Sequence, residues 1–156
     1  ESSPGNTINV NICALGGSIA TPSMGIRANV VEVKSIDDLS KLGKDKIKGK
    51  IVFFNRSMKA DLVNAYEAYK GAVDQRYRGA AEAAKYGAVA VIVRSLNFRL
   101  DDYPHTGVMS YGDLPNSKRI PAAAISTNHA QLLSSMIALN PKLRFFIKQN
   151  CRKMDL

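Results

Sequence analysis

The sequence predicts a mixed α/β domain, and three observations support that prediction. IVFF, from Ile51, is short, apolar and does not alternate, as is typical of a strand buried on both faces. RYRGAAEAAKYGAVAVIVRS joins a helix pattern, a glycine stop and another buried strand. TINVNICAL and LRFFIKQN, near the two ends, alternate like half-exposed strands. Buried strands need helical covering, so we expect a mixed sheet with flanking helices, with the terminal strands as a smaller β layer beside it.

The first third of the chain predicts two strands and a short helix. In TINVNICAL the alternation places four residues on one face: Ile8, Val10, Ile12 and Ala14. Gly16 and Gly17 interrupt this strand, and IRANVVEVK, from Ile26, predicts the second. SIDDLSKLG offers a serine N-cap, acidic residues in a first helical turn and a glycine stop.

Two helices are predicted in the middle third. Asp61 can cap a helix that runs through Tyr69, with one side formed by Leu62, Ala65, Tyr66 and Tyr69. The next helix has a small-residue face made of Ala80, Ala83 and Ala84, and it ends at Gly87. The buried strand Val89 to Val93 follows directly.

The last third predicts a strand, a helix and a final strand. IPAAAIS carries Pro121 at its start, where a missing backbone donor is tolerated. Asn128 and Gln131 resemble a capping pair for a helix through Leu139, which Asn140 and Pro141 end. In the final strand three residues are expected to point inward: Leu143, Phe145 and Ile147.

Length and composition predict one domain, residues 1–156, large enough for a core of its own. The net charge is +9, and a basic surface can bind phosphates or acidic partners, although most charge runs are solvated faces. No RNP-type motif, helix-turn-helix or zinc finger accompanies the charge, so we expect no nucleic-acid partner. No window is apolar enough for a membrane span, and the start lacks a signal-peptide pattern. The chain lacks an initiator Met and stops on NCRKMDL, so we expect a piece excised from a longer protein.

The residues predict no catalytic or metal site within this chain. His105 with Asp101 or Asp102 is an incomplete ligand set, and neither His-x-Asp nor HExxH occurs. GxSxG, GxGxxG and the Walker pattern are also missing. Cys13 and Cys151 are too few for a disulfide framework, and the simplest expectation is two half-buried thiols. A domain without such motifs that carries a conspicuous loop is more often a binding or regulatory module than an enzyme.

Four blocks in a fixed order resemble the protease-associated (PA) domain. They are GKIVFFNR, RGAAEAAKYGAVAVIVRS, PHTG and KRIPAAAIS. With the run YPHTGVMSY, the resemblance is to the PA domain inserted in secreted di-zinc exopeptidases of the aminopeptidase S/Y group, and it covers roughly residues 26–151. It implies a swivelling β/β/α fold and a non-catalytic lid, substrate-access or interaction module of a zinc-dependent exopeptidase.

Further expectations follow from the resemblance alone. No cofactor belongs to this chain, and two zinc ions belong to a catalytic domain outside it. The partners are that catalytic domain of the same polypeptide and a peptide substrate, with no nucleic acid and no membrane. Localisation would be secreted or periplasmic, where a bond between Cys13 and Cys151 could persist. If both ends of an insertion meet one neighbour, the first and last strands should lie close together.

The loop DDYPHTGVMSYGD is the most site-like segment of the chain. We expect residues 103–111 to protrude toward the peptidase cleft, with these residues as candidate contacts to substrate or catalytic domain: Tyr103, Pro104, His105, Thr106, Gly107 and Tyr111. Gly107 would let the backbone approach closely. The plainer alternative is that Pro104 and Gly107 only shape a turn, which His105 caps. An independent peptide- or protein-binding module stays open as a second function, and an enzyme in its own right as a third.

Overall fold

A six-stranded sheet organises the molecule, which we describe from a computed structural model covering residues 6–59 and 64–152. In chain order the strands are β1 (Ile12–Ala14), β2 (Ile26–Val33), β3 (Ile51–Phe54), β4 (Ala90–Arg94), β5 (Ala122–Ile125) and β6 (Arg144–Ile147). Their order across the sheet is β1-β5-β4-β3-β2-β6. The four central strands are parallel, while β1 runs antiparallel to β5 and β6 antiparallel to β2. The mixed α/β class is confirmed, and the terminal strands lie at the two edges of this sheet.

Six α-helices connect and cover the strands within the described residues. They are α1 (Asp37–Leu42), α2 (Lys44–Ile47), α3 (Ala65–Lys70), α4 (Val73–Tyr77), α5 (Gly79–Lys85) and α6 (Thr127–Leu139). A 3-10 turn spans Asn116–Lys118.

The sheet separates two apolar cores because side chains alternate along each strand. Phe54 and its neighbours on one face pack with Leu39 of α1, Ile47 of α2 and the alanines of α5. Phe53 and its neighbours on the other face pack with α6. All of β3, β4 and β5 is buried, which confirms the buried strands predicted at IVFF and at Val89 to Val93, and the strand predicted in IPAAAIS is present as β5. Covered on both faces, these strands form a rigid floor for the loops at their carboxyl ends.

The helix after β3 differs from its prediction. It begins at Ala65, with Asn64 as the N-cap whose side chain accepts from the Tyr66 amide; the predicted cap, Asp61, lies outside the described residues. Its buried residue is Ala68, whereas Tyr66 is exposed, so the predicted apolar side was wrong. The prediction counted tyrosine as an apolar residue that points to the core. Tyrosine is found on protein surfaces as well as in cores, so its position in the pattern does not identify the buried side.

The cap of α6 also differs from its prediction. Ser126 is the N-cap, and its hydroxyl accepts from the His129 amide at 3.3 Å. The predicted cap, Asn128, instead donates to the side chain of Asp102. Serine is a good N-cap, but Ser126 sits at the end of an apolar strand, where the sequence pattern favoured strand over cap.

The two edge strands border one groove. Ile12 of β1 and Arg144, Phe145 and Phe146 of β6 all line it. Beyond β6, the Gln149 carbonyl accepts from the Thr21 amide at 3.0 Å. The first and last strands therefore border the same groove, although they lie at opposite edges of the sheet. Within residues 6–59 and 64–152 there is no helix with both the length and the apolar character needed to cross a membrane.

Candidate functional site: the loop after β4

The candidate site is the loop of residues 95–110, which follows β4. It lies at the carboxyl end of β4, because β4 stops at Arg94 and the chain then turns instead of pairing further. Edges of this kind are where ligand-contacting residues of parallel sheets commonly lie. The loop has no helix and a single isolated β-bridge, between Gly16 and Val108.

Hydrogen bonds from other elements hold the first half of the loop. The Ser95 hydroxyl donates to the Ile125 carbonyl at 2.7 Å and accepts from the His105 amide at 2.8 Å. Thr127, the first residue of α6, accepts from the Asp101 amide at 2.9 Å and donates to the Arg99 carbonyl at 2.9 Å. The loop therefore keeps a defined shape without regular secondary structure.

The second half of the loop is fixed to the segment around β1. The Thr106 hydroxyl donates to the Ala14 carbonyl at 2.6 Å. Gly16 and the loop exchange two backbone bonds, from Gly16 N to the Gly107 carbonyl and from Met109 N to the Gly16 carbonyl, each 2.9 Å long. Both halves of the loop backbone are therefore anchored to other elements.

Most of the predicted contact residues are accessible. Tyr103 is 76% exposed, Thr106 and His105 are also exposed, and Pro104 is half-buried. The His105 ring nitrogen Nε2 lies 3.5 Å from the Asp101 carboxylate, which also accepts from the Tyr103 amide at 3.1 Å. Both contacts are made by Asp101 and neither defines a turn between Pro104 and Gly107, so the turn of the plainer alternative stays a prediction.

Gly107 makes a close approach within this chain. A side-chain carbon built on it would lie 2.6 Å from the central carbon of the Arg76 guanidinium. Arg76 is held beneath the loop by the Tyr69 hydroxyl, to which it donates, and by the Tyr69 ring, 5.3 Å away. The absent side chain of Gly107 thus makes room for an arginine.

Tyr111 lies apart from the other candidates. It is only 6% exposed, its hydroxyl donates to the Ile120 carbonyl at 2.6 Å, and the guanidinium of Arg119 lies 5.1 Å from its ring. Burial raises the pKa of the Tyr111 hydroxyl and outweighs the hydrogen bonds that lower it. Tyr111 therefore offers almost no surface to a partner and acts as a core residue.

Three further exposed apolar side chains of the loop were not predicted from the sequence. Phe98, Leu100 and Val108 are all about half exposed or more, like Tyr103. Four large apolar side chains are thus exposed on one short loop, and exposed apolar residues that form one patch commonly mark interaction sites. An apolar residue flanked by polar neighbours, as in NFRLDD, was the available sequence signal.

A buried charged network lies at the same edge of the sheet. Arg94 is 8% exposed and donates to the Asn55 side chain at 3.3 Å, and Asn55 donates to Glu32 at 2.7 Å. Burial lowers the pKa of the Arg94 guanidinium, but an arginine this basic stays protonated. The network therefore links the ends of β2, β3 and β4 through one buried positive charge and one carboxylate.

A zinc site does not fit the described residues. Among residues 6–59 and 64–152, no group of three or more His, Cys, Asp or Glu could hold a metal ion. His105 and Asp101 are one pair, and two ligands fall short of the three or four that zinc sites use.

The two cysteines are free thiols. Cys13 is exposed, and Cys151 is half-buried. Burial raises the pKa of the Cys151 thiol, and the nearby Cys13 raises it further. The two thiols are thus close enough to influence each other, without a bond between them.

No family model matches the chain. Curated proteins do match it: bovine (Bos taurus) carboxypeptidase Q is 36% identical over 141 residues, which are 90% of this chain and 28% of that protein. The chain is homologous to one segment of carboxypeptidase Q. The human (Homo sapiens) and Xenopus laevis carboxypeptidase Q are 35% and 41% identical, over 92% and 88% of this chain. The chain spans a little over a quarter of each carboxypeptidase Q that it matches.

Solved structures agree with the match to carboxypeptidase Q. A peptidase M28 precursor from Shewanella amazonensis superposes with a TM-score of 0.82 at 33% identity, covering 90% of this chain and 31% of that one. BSAP, a zinc aminopeptidase from Bacillus subtilis, superposes with a TM-score of 0.53 at 22% identity, over 89% of this chain and 27% of that one, and shares the fold alone. The homology supports a segment of an M28-type exopeptidase, and in these relatives the matching region is a minor part of a larger peptidase.

Proposed function

We propose that this chain, residues 1–156, is the protease-associated domain of a zinc-dependent exopeptidase. It would shape substrate access to a catalytic domain in the same polypeptide and perform no chemistry itself. The observation that carries the proposal is the pattern of coverage: 90% of this chain matches 28% of carboxypeptidase Q, at 36% identity. A segment of a larger peptidase produces that pattern, and the lack of a metal-ligand group among the described residues supports an accessory segment over a catalytic one.

The surface chemistry of the loop supports an access role. Tyr103 and His105 are exposed on a segment with several anchors, so a peptide can contact them without first ordering the loop. An aromatic ring and an imidazole offer stacking and hydrogen bonds to a peptide, and neither needs a metal. We infer that Tyr103 and His105 contact the substrate or the rim of the catalytic cleft.

Two zinc ions would belong to the catalytic domain outside this chain. The described residues carry no ligand group for them, as the geometry of His105 and Asp101 shows. We also propose an exported protein, secreted or periplasmic, on the strength of the PA-domain resemblance.

The test uses the full-length polypeptide that contains this domain. Tyr103→Ala and His105→Ala are each assayed for kcat/KM over a panel of di- to tetrapeptides. Losing one aromatic contact should lower kcat/KM by about 2- to 10-fold for part of the panel, with the zinc content unchanged. Leu139→Ala is the matched control, because Leu139 is an apolar residue 88% exposed at the far end of α6.

The panel separates the possible results. If both loop variants have the same kcat/KM as Leu139→Ala for every peptide in the panel, the loop has no role in substrate access. A full-length polypeptide without any peptidase activity would remove the proposed function as a whole.

A further inference from the structure

Asn11, the residue before β1, makes hydrogen bonds both with α6 and with the candidate loop. Its backbone amide donates to Nδ1 of His129 in α6 at 3.1 Å, and its carbonyl accepts from the Ser126 amide at 3.3 Å. Its side-chain amide donates to the Asp102 carbonyl of the loop at 2.9 Å. The bond between Asn11 and His129 therefore bears on one of the bonds that hold the loop.

The bond to Asn11 decides where the His129 ring carries its proton. A backbone N–H can only donate, so Nδ1 must accept, and the neutral ring then has its hydrogen on Nε2. A ring with both nitrogens protonated donates from both and would place two donors against each other at this contact. The bond between Asn11 and His129 therefore requires a neutral imidazole.

Ser126 offers the protonated ring a different partner. Its hydroxyl oxygen lies 2.9 Å from Nδ1 of His129 and is also the acceptor for the His129 amide. A hydroxyl oxygen has two lone pairs, so it can accept a second hydrogen bond, from a protonated Nδ1. A proton taken up from solvent would thus replace the bond with Asn11 by one with Ser126, and the cap of α6 would remain.

Within residues 6–59 and 64–152, few titratable or charged groups lie on the elements around His129. α6 carries none besides His129, and β5 carries none. The others lie on β1 and on the part of the loop held against the start of α6: Cys13, Arg99, Asp101 and Asp102. Histidine is the side chain that ordinarily changes charge between about pH 5 and pH 8. A change over that range would therefore arise from His129 or from His105 of the loop, the two histidines of the chain.

We propose that His129 is a positioning residue that makes the candidate loop sensitive to pH. The neutral ring holds Asn11, and Asn11 holds the loop at Asp102. When Nδ1 binds a proton, Asn11 is released and the loop loses this anchor, while its bonds to Thr127 and from Thr106 remain. The inference rests on the proposed function and deepens it, because it names a regulation of the loop that would contact the substrate.

The test is amide hydrogen exchange in the full-length polypeptide, followed by mass spectrometry at about pH 5 and about pH 8. Rates are corrected for the intrinsic pH dependence of exchange. We expect the protection of residues 9–13 and 101–104 to fall by about 3- to 10-fold at the lower pH, because the Asn11 bonds are lost. His129→Asn should keep its protection at both pH values, since an amide oxygen accepts from Asn11 without titrating. His105→Asn is the matched control and should show the same fall as wild type.

Three results would overturn the proposal: equal protection of wild type at the two pH values, a fall that persists in His129→Asn, or a fall that is absent in His105→Asn. The first and third do not depend on the folding of His129→Asn. Peptide cleavage by the full-length polypeptide is measured alongside. Intact cleavage without a change in protection removes the inference and leaves the proposed function. A change in protection without any cleavage removes the proposed function and leaves the link between His129 and the loop.

Discussion

Gly79, the first residue of α5, lies directly against the ring of Phe54. A side-chain carbon at Gly79 would be 2.8 Å from one ring carbon of Phe54 and 3.1 Å from another. Phe54 is fully buried, so its ring has no free space to move into. The missing side chain therefore sets how closely α5 approaches the sheet.

Gly79→Ala should destabilise the domain by about 1–3 kcal/mol, because overpacking forces a buried ring out of place. Gly71→Ala is the control, since a carbon there would sit at ordinary contact distances of 3.5 and 3.6 Å and its φ of −70° suits alanine. The free energies of unfolding come from urea denaturation. A Gly79→Ala variant as stable as Gly71→Ala would contradict the close packing described here.

Glu32 gives the stability a dependence on pH. Burial, the largest single effect, raises the pKa of Glu32, but hydrogen bonds from Lys34, Asn55 and Ser134, with the charge of Lys34, together lower the pKa below its ordinary 4.5. A carboxyl whose pKa is lowered on folding stabilises the fold above its unfolded pKa. That contribution is lost as the pH falls through the folded pKa.

Glu32→Gln should therefore destabilise the protein most near pH 7, and the difference from wild type should shrink as the pH falls below 4.5. Urea denaturation at a series of pH values measures this. Glu67→Gln, at an exposed position of α3, controls for the loss of one negative charge. A difference between Glu32→Gln and wild type that stays constant from pH 7 to pH 3 would refute the account of Glu32.

At the scale of elements, α6 joins the sheet to the candidate loop. Ser126 caps the helix and is fully buried, while Thr127 and Asn128, in the first turn, bind the loop at Arg99 to Asp102. The same helix packs its other residues, Ala130 and Leu133, into the core. The residues at the start of α6 thus stabilise both the end of the helix and the conformation of the loop.

Ser126→Ala should cost about 0.5–2 kcal/mol, because the His129 amide loses its capping acceptor. Ser135→Ala, in the exposed middle of the same helix, should be neutral or slightly stabilising, since alanine is the better helix former there. Thermal unfolding followed by circular dichroism compares the two. Equal midpoints would show that the cap contributes nothing to stability.

The elements best predicted from sequence are those whose burial is visible in their own residues, without knowledge of what packs against them. β3, β4 and β5 are apolar without alternation, and α5 carries small residues followed by Gly87, whose φ of 81° ends the helix. The predictions for the buried side of α3 and the cap of α6 were wrong. The exposure of Tyr66, and the choice of Ser126 over Asn128 as the N-cap, both depend on contacts with distant parts of the chain.

At the scale of the whole molecule, the candidate site is made by contacts between distant parts of the chain. The bond from Asn11 to Asp102 joins residues 91 positions apart, and Thr106 reaches Ala14 across 92 positions. A sequence pattern shows that the loop is polar and turn-rich. It does not show which distant residues form hydrogen bonds with the loop. The exposure of Phe98 and Leu100, the burial of Tyr111 and the groove between the sheet edges therefore became visible only in the fold.

The fold as a whole is a scaffold with an anchored loop and a groove, and the described residues lack a ligand group for a metal. Under the proposed function, catalysis takes place in the remainder of the polypeptide. The contribution of residues 1–156 is then geometric: a rigid sheet and a loop held at its carboxyl edge.

The most direct test of this division is to measure bound zinc and peptide turnover on residues 1–156 alone and on the full-length polypeptide. Circular dichroism first establishes that the isolated domain is folded. We predict stoichiometric zinc and peptide cleavage in the full-length polypeptide, with neither in the folded domain. Tightly bound stoichiometric zinc together with peptide turnover in the isolated domain would contradict the account.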